Sequence, residues 1–384
     1  LLQRICLLFA GLILTTQAQA ELIARPGFTA DRRFQFGAEA SAIDISTENY
    51  KAYAFRDALG KCRTTADDLK DLTKSQLDSP GSLVLQAIAS LFPKFDRKEI
   101  KTVDFIFDSF GPLANIFRSF YIPQQKRNSA VIALDCSFDT QVNAPALMGH
   151  ELVHHINSHR NVAPWVDEML AQYIEIQVSG LYPSARYQTL THEVNVPSFF
   201  AREKTFKSSQ EYAVNSLFGF YVAQNFGGTR TLQSFTQNVR TLADFAKNLQ
   251  QTTRQSREFD WLARYQDPKA LIRHFSLALN INLPSQNSTL FQVPGWQGFD
   301  KSNLITVPGT FVIEPGGSLR LDTRWAKLLD TIPENSALEA YRVLKTKSQF
   351  HIQMANDPIQ GSWDENFLVL INTSTADYLE VQLK

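Results

Sequence analysis

Residues 150–154 read His-Glu-Leu-Val-His, and that spacing constrains the chain more than any other stretch. Residues four apart lie on one face of an α-helix, so a helix here brings both imidazoles within reach of a single ion. Zinc, at about 2.0–2.1 Å from each nitrogen, accepts such a pair. Glu151 falls on an adjacent line of the helix, where it faces a water rather than the metal. From there it can take the water's proton and deliver it to a leaving amine. In a chain with 7 histidines, the three fixed residues meet by chance on the order of 1% of the time. Asn143 is a candidate cap for the helix, which is predicted to begin near Pro145 and run through Ile156.

A catalytic zinc also needs a third protein ligand and an open position. A third histidine soon after the motif is excluded, because position 157 is Asn, position 160 is Arg and His159 is out of register. The alternative is a carboxylate from the following helix. Pro164-Trp165 opens that helix, which is predicted to reach Val178 and stop at Gly180. Glu168 lies one turn into it, and Ala171 leaves room for close packing beside it. Asp167 is a candidate to accept the second N–H of a ligand histidine, as carboxylates beside metal-bound imidazoles commonly do. His155, about 100° round the helix from His154, reads as a packing or hydrogen-bonding residue.

The first twenty residues read as a secretory leader. Arg4 precedes an apolar run, Ile5 to Leu14, too short to span a bilayer, and residues 18–20 form an Ala-x-Ala cleavage site. An exported protein, periplasmic or extracellular, follows as the expectation, with no stable membrane insertion once the leader is removed. Export leaves Cys62 and Cys136 in an oxidising compartment, which permits a bridge between them. Neither has a CxxC neighbour, so a thiolate zinc site is not expected. Lys plus Arg equals Asp plus Glu, 38 against 38, and nothing suggests nucleic acid as a partner. The 28 phenylalanines point to aromatic cores. No nucleophile elbow, P-loop or dinucleotide fingerprint is present in the sequence.

Hydrophobic periodicity predicts an α+β chain. Helices are expected at Thr47–Lys61, Ala66–Leu77, Ser82–Phe92, Ser208–Asn225, Thr229–Gln250 and Pro268–Leu279. Strands are expected at Lys101–Asp108 and Ser129–Cys136. After about Pro284 the character changes to short strand-like runs: Leu304–Val307, Thr310–Ile313, Leu319–Asp322, Leu338–Leu344, Phe350–Met354, Phe367–Asn372 and Tyr378–Leu383. Their spacing suits a small β-sandwich. The resulting division is 1–20 leader, 21–125 an N-terminal α/β part of the catalytic unit, 126–284 the catalytic region, and 285–384 a sandwich-like domain.

The segments His150-Glu-Leu-Val-His-His-Ile-Asn157 and Pro164-Trp-Val-Asp-Glu-Met-Leu-Ala-Gln-Tyr173 resemble the gluzincin zinc metallopeptidases. Within that group they are most similar to the bacterial hyicolysin-type branch, with its WxxEGxAxY-like second segment. The resemblance covers about Ser129 to Gly228. It implies a zincin-like domain with a mixed sheet and a mostly helical lower half, and one catalytic zinc held by His150, His154 and Glu168. It makes Glu151 the general base and a protein or peptide the substrate. Met169 stands where the family usually has Gly, a departure that bears on the helix contact beside the metal. Glu211 to Gly227 looks like a later helix of the same branch, in which a tyrosine hydroxyl faces the site and stabilises the oxyanion. Tyr212 is the candidate, with Tyr221 and Tyr173 as alternatives. A secreted endopeptidase is the function this implies. Two rival readings stay open: a zinc-binding scaffold without turnover that binds a surface partner, and a zinc hydrolase of a non-protein amide such as a cell-wall component.

Overall fold

The apolar runs of the N-terminal third pair into one mixed sheet. The computed structural model describes residues 20–28, 34–62, 64–110, 118–123, 130–137, 143–200, 208–253, 267–282, 292–329, 332, 336–346, 349–354 and 363–383. Of the expected leader only residue 20 lies among them. The chain divides into two compact units, 1–86 with 95–155 and 87–94 with 156–384.

The first unit holds six strands, β1 (Ala20–Phe28), β2 (Phe34–Asp44), β3 (Lys51–Phe55), β4 (Val103–Asp108), β5 (Ser119–Ile122) and β6 (Ala130–Asp135). Their order is β1-β2-β3-β4-β6-β5. The β3–β4 and β4–β6 pairs are parallel and the others antiparallel. Every residue of β6 is buried, the signature of a parallel strand covered on both faces. The crossover from β3 to β4 carries α1 (Arg56–Cys62), α2 (Ala66–Thr73) and α3 (Leu83–Leu91). A capping box between Thr65 and Asp68 starts α2. Cys62 and Cys136 form a disulfide with a Cα–Cα distance of 5.1 Å, so the end of α1 is tied to the residue after β6.

The helix expected at Thr47–Lys61 is instead β3 followed by α1. Ala52, Ala54 and Phe55 are fully buried, and parallel pairing with β4 overrides a helical spacing that local sequence supports equally well. The expected strand at Lys101 begins only at Val103, because Arg97–Thr102 forms a 3₁₀ turn capped by Asp96 and Glu99. Strands β1, β2 and β5 had no counterpart among the expected elements. Helix α4 (Asn143–Asn157) follows and runs two residues past the end of the first unit at His155.

The second unit begins with helices α5 (Pro164–Ser179), α6 (Ser184–Thr191), α7 (Ser209–Phe226), α8 (Thr229–Gln233), α9 (Leu242–Thr253) and α10 (Pro268–Ile281). Much of the phenylalanine is spent here. Phe199 stacks on Phe218 with centroids 3.9 Å apart, Trp165 lies 5.3 Å from Phe245, and Phe275 packs edge-on to both Phe199 and Phe218. The single helix expected at Thr229–Gln250 is broken in two. Asn238, left-handed at φ 56°, donates to the Arg160 carbonyl, and Val239 accepts from the Ala163 N–H at 2.7 Å. The interruption thus braces the loop that leads into α5. Thr241 and Asp244 cap the chain again for α9, each bonding the other's backbone N–H.

Strands β7 (Asn195–Val196), β8 (Gly309–Ile313), β9 (Ser318–Leu321), β10 (Leu338–Lys345), β11 (Phe350–Met354), β12 (Glu365–Asn372) and β13 (Leu379–Leu383) complete this unit. They form a sheet of order β11-β10-β12-β9-β7 and a β13–β8 ribbon, all antiparallel. Both sheets contribute to one buried cluster that includes Leu319, Leu321, Leu368 and Leu370 from one and Ile313, Val381 and Leu383 from the other. The strand expected at Leu304–Val307 reduces to a single bridge, Ile305 to Leu321. Helical and strand-rich segments are interlocked within the unit. Strand β7 comes from between α6 and α7, and Arg273 of α10 grips Glu339 of β10 through two hydrogen bonds of 2.5 and 2.6 Å. Among the described residues no helix is long and apolar enough to cross a membrane.

Candidate metal centre

Helix α4 buries Met148, Leu152, Val153 and Ile156 almost completely and leaves His150 and His154 half-buried on another line. The two Nε2 atoms lie 3.2 Å apart, with the rings edge-on and their centroids 4.9 Å apart. Two imidazole nitrogens at that distance either share a proton or turn both lone pairs on one cation. Glu151, one position on, is 4% exposed. Its Oε1 accepts a 2.6 Å hydrogen bond from the Ser119 hydroxyl at the start of β5.

A tight break follows α4. Arg160 N–H closes a turn on the Asn157 carbonyl, and Asn161 takes a left-handed φ of 55°. Asn157 Nδ2 then donates to Asp167 Oδ1 at 2.8 Å, pinning the end of the first motif segment to the first turn of α5. Pro164 sits in that turn, where its missing N–H costs nothing, and Gly180 ends the helix at φ 67° with its N–H on the Ile176 carbonyl. Glu168 stands half-buried one turn in. His150, His154 and Glu168 each offer a ligand atom, and these atoms lie within 4.8 Å of one another, the one such group of three among the described residues.

This donor set fits a divalent metal. Tetrahedral bonds of about 2.0–2.1 Å separate neighbouring ligand atoms by roughly 3.3 Å, and the two histidine nitrogens already stand 3.2 Å apart. Two imidazoles and one carboxylate offer three ligand atoms, a donor set that zinc sites use.

Met169, next to Glu168, is fully buried and lies against Gly219 of α7. A Cβ added at Gly219 would stand 2.8 Å from Met169 Cγ. The bulk at position 169 is therefore matched by a missing side chain on the facing helix.

The remaining expected residues fall as follows. Tyr212 is half-buried in α7, with the Arg186 guanidinium 5.4 Å from its ring centre. Tyr221 is fully buried beside Phe226 and Phe275, a core position. Tyr173 shares a 2.8 Å hydrogen bond with Thr229. Asp167 receives Asn157, as described. His155 is buried 2.9 Å from the Glu99 carbonyl, with Tyr121 at 3.3 Å. His159 is exposed in the break.

Two residues that touch Glu151 and Glu168 directly were not expected from the sequence. Ser119 lies 32 positions from Glu151, and Gln172 contacts Glu168 through its amide. A polar residue four positions after Glu168, in a helix otherwise apolar there, was the one available signal for Gln172. Ser119 had none, because its strand was not expected.

The chain matches no family model and no curated protein.

Proposed function

We propose that the chain is an exported zinc-dependent endopeptidase of gluzincin type. The observation that carries this reading is the convergence of His150, His154 and Glu168, with ligand atoms within 4.8 Å of one another, beside a buried carboxylate, Glu151, on the same helix. His150, His154 and Glu168 would hold the ion. Zinc supplies Lewis-acid polarisation of a carbonyl and brings the pKa of a water toward about 7. Glu151 takes the proton of the attacking water and returns it to the departing amine. Its burial and the Ser119 hydroxyl hold the carboxylate in one orientation. Tyr212 is the proposed oxyanion donor, and Asp167 helps set the geometry of the break between the two ligand-bearing helices.

Strand β5 ends the described sheet and begins with Ser119. An extended peptide can add to such an edge through main-chain hydrogen bonds, which favours a polypeptide over a compact amide. The disulfide between Cys62 and Cys136 supports an oxidising compartment and hence export. In this reading the paired C-terminal sheets form a sandwich, and the region that carries the ligands is zincin-like.

The test combines metal analysis with a peptide-library cleavage assay, with and without chelator. One zinc per chain and chelator-sensitive cleavage are expected. Glu151→Gln should keep the zinc and lose at least about 100-fold in activity, and Glu168→Ala should lose the zinc. Full activity in the Glu151 variant, or a wild type without metal, would overturn the proposal. Zinc without cleavage of any peptide would point instead to a scaffold or to a different amide.

A further inference from the structure

Behind Glu168 lies a chain of side-chain amides whose orientations determine one another. Gln172, four residues on in α5 and 1% exposed, donates from Nε2 to Glu168 Oε1 at 3.1 Å. Its Oε1 accepts from Arg186 Nη1 of α6 at 3.0 Å. Asn215 of α7, fully buried, donates from Nδ2 to the carbonyls of Trp165 and Phe199 at 2.9 and 2.8 Å. It turns its Oδ1 to Gln172 Nε2 at 3.4 Å.

The directions follow from chemistry. A guanidinium only donates, so the atom of Gln172 that meets Arg186 must be its oxygen. Backbone carbonyls only accept, so Asn215 must present its amide nitrogen to them and its oxygen to Gln172. Both constraints send the two N–H bonds of Gln172 toward Glu168 and Asn215. Neither amide can flip without setting donor against donor or acceptor against acceptor in a buried place. Arg186 is steadied from another side by the Tyr212 ring, 5.4 Å from its guanidinium carbon.

We infer that Gln172, anchored by Arg186 and Asn215, is a positioning residue for the metal ligand Glu168. It holds one carboxylate oxygen by a hydrogen bond and so fixes the carboxylate in a single rotamer before any metal arrives. This rests on the zinc reading above, and it adds three residues to the machinery that neither the motif nor its spacing names.

The test is zinc affinity, read by competition with a chromophoric chelator, alongside urea unfolding of the metal-free proteins. Gln172→Leu should weaken zinc about 10–100-fold, the usual effect of removing a partner of a metal ligand. Gln172→Glu keeps the acceptor for Arg186 but removes the donor to Glu168, and should lose at least as much. Arg186→Met leaves Gln172 in place without its anchor, and a loss of more than twofold but smaller than that of Gln172→Leu is expected. Arg186 is half-buried, so this variant decides the matter should Gln172→Leu fail to fold. Zinc affinity within twofold of wild type in folded variants would overturn the relay while leaving the metal centre standing. A wild type that binds no zinc would overturn both.

Discussion

Gly219 sits inside an 18-residue helix, α7, where alanine would ordinarily be the more stable residue by about 1 kcal/mol. The structure reverses that expectation. An added Cβ would stand 2.8 Å from Met169 Cγ, about 0.7–1.2 Å inside the separation at which carbon atoms attract. Met169 is fully buried and its Cγ lies mid-chain, so the side chain cannot simply swing aside. Overpacking of this kind costs about 1–3 kcal/mol. Set against the helical gain, Gly219→Ala should lower stability by about 0–2 kcal/mol rather than raise it. The assay is urea unfolding followed by tryptophan fluorescence, because Trp165 packs 6.4 Å from Phe218 on the same helix. The mechanism makes a second, sharper claim about coupling. Met169→Ala alone should cost about 2–5 kcal/mol through the cavity it leaves. Combined with Gly219→Ala, the two losses should fall short of their sum by 1 kcal/mol or more, since each change relieves the other. A stabilised Gly219→Ala protein, or a double variant additive to within about 0.5 kcal/mol, would refute the claim that Gly219 makes room for Met169.

Three further outcomes follow from other contacts. Ser119→Ala should lower kcat about 10-fold or more with zinc content and KM unchanged, because a hydrogen bond to a charged carboxylate is worth about 1.5–3 kcal/mol. Ser119→Thr should restore most of the rate, and an unchanged kcat in the alanine variant would remove Ser119 from the mechanism. The Cys62–Cys136 bridge closes a sequence separation of 74, so replacing both by serine should cost about 4–5 kcal/mol on loop entropy. An unchanged urea midpoint would show that the bridge constrains nothing. Burial pushes the Glu339 carboxyl up, but hydrogen bonds from Arg273 and Tyr341 and the guanidinium charge outweigh it and hold the group below its ordinary range. A depressed carboxylate contributes stability that is full above its unfolded value of about 4.3 and is lost as pH falls through the lower folded value. Glu339→Gln should therefore flatten the decline in stability between pH 7 and pH 3, and parallel curves for variant and wild type would exclude the pair as an acid-sensitive tie.

Local sequence was informative wherever a short-range rule acts alone. The i, i+4 histidines, the proline that opens α5 and the glycine that closes it are consequences of helical geometry, and they placed His150, Glu151, His154 and Glu168 without any knowledge of the fold. Helices α4, α5, α7 and α10 likewise follow from their own periodicity and end signals. So do the short C-terminal strands, which alternate between turns. Tertiary pairing decided the rest. Whether Tyr50 to Lys61 coils or extends depends on β4 lying alongside, and whether residues 229–250 make one helix or two depends on the loop at Arg160 and Ala163 that needs their backbone. The partners of the central residues come from strands and helices far off in sequence: Ser119 for Glu151, Gly219 for Met169, Arg186 and Asn215 for Gln172. Hydrogen bonding and close packing act over a few ångströms of space with no regard for sequence distance. The chain by itself could therefore name the candidate metal ligands, and only the folded structure could say what holds them in place.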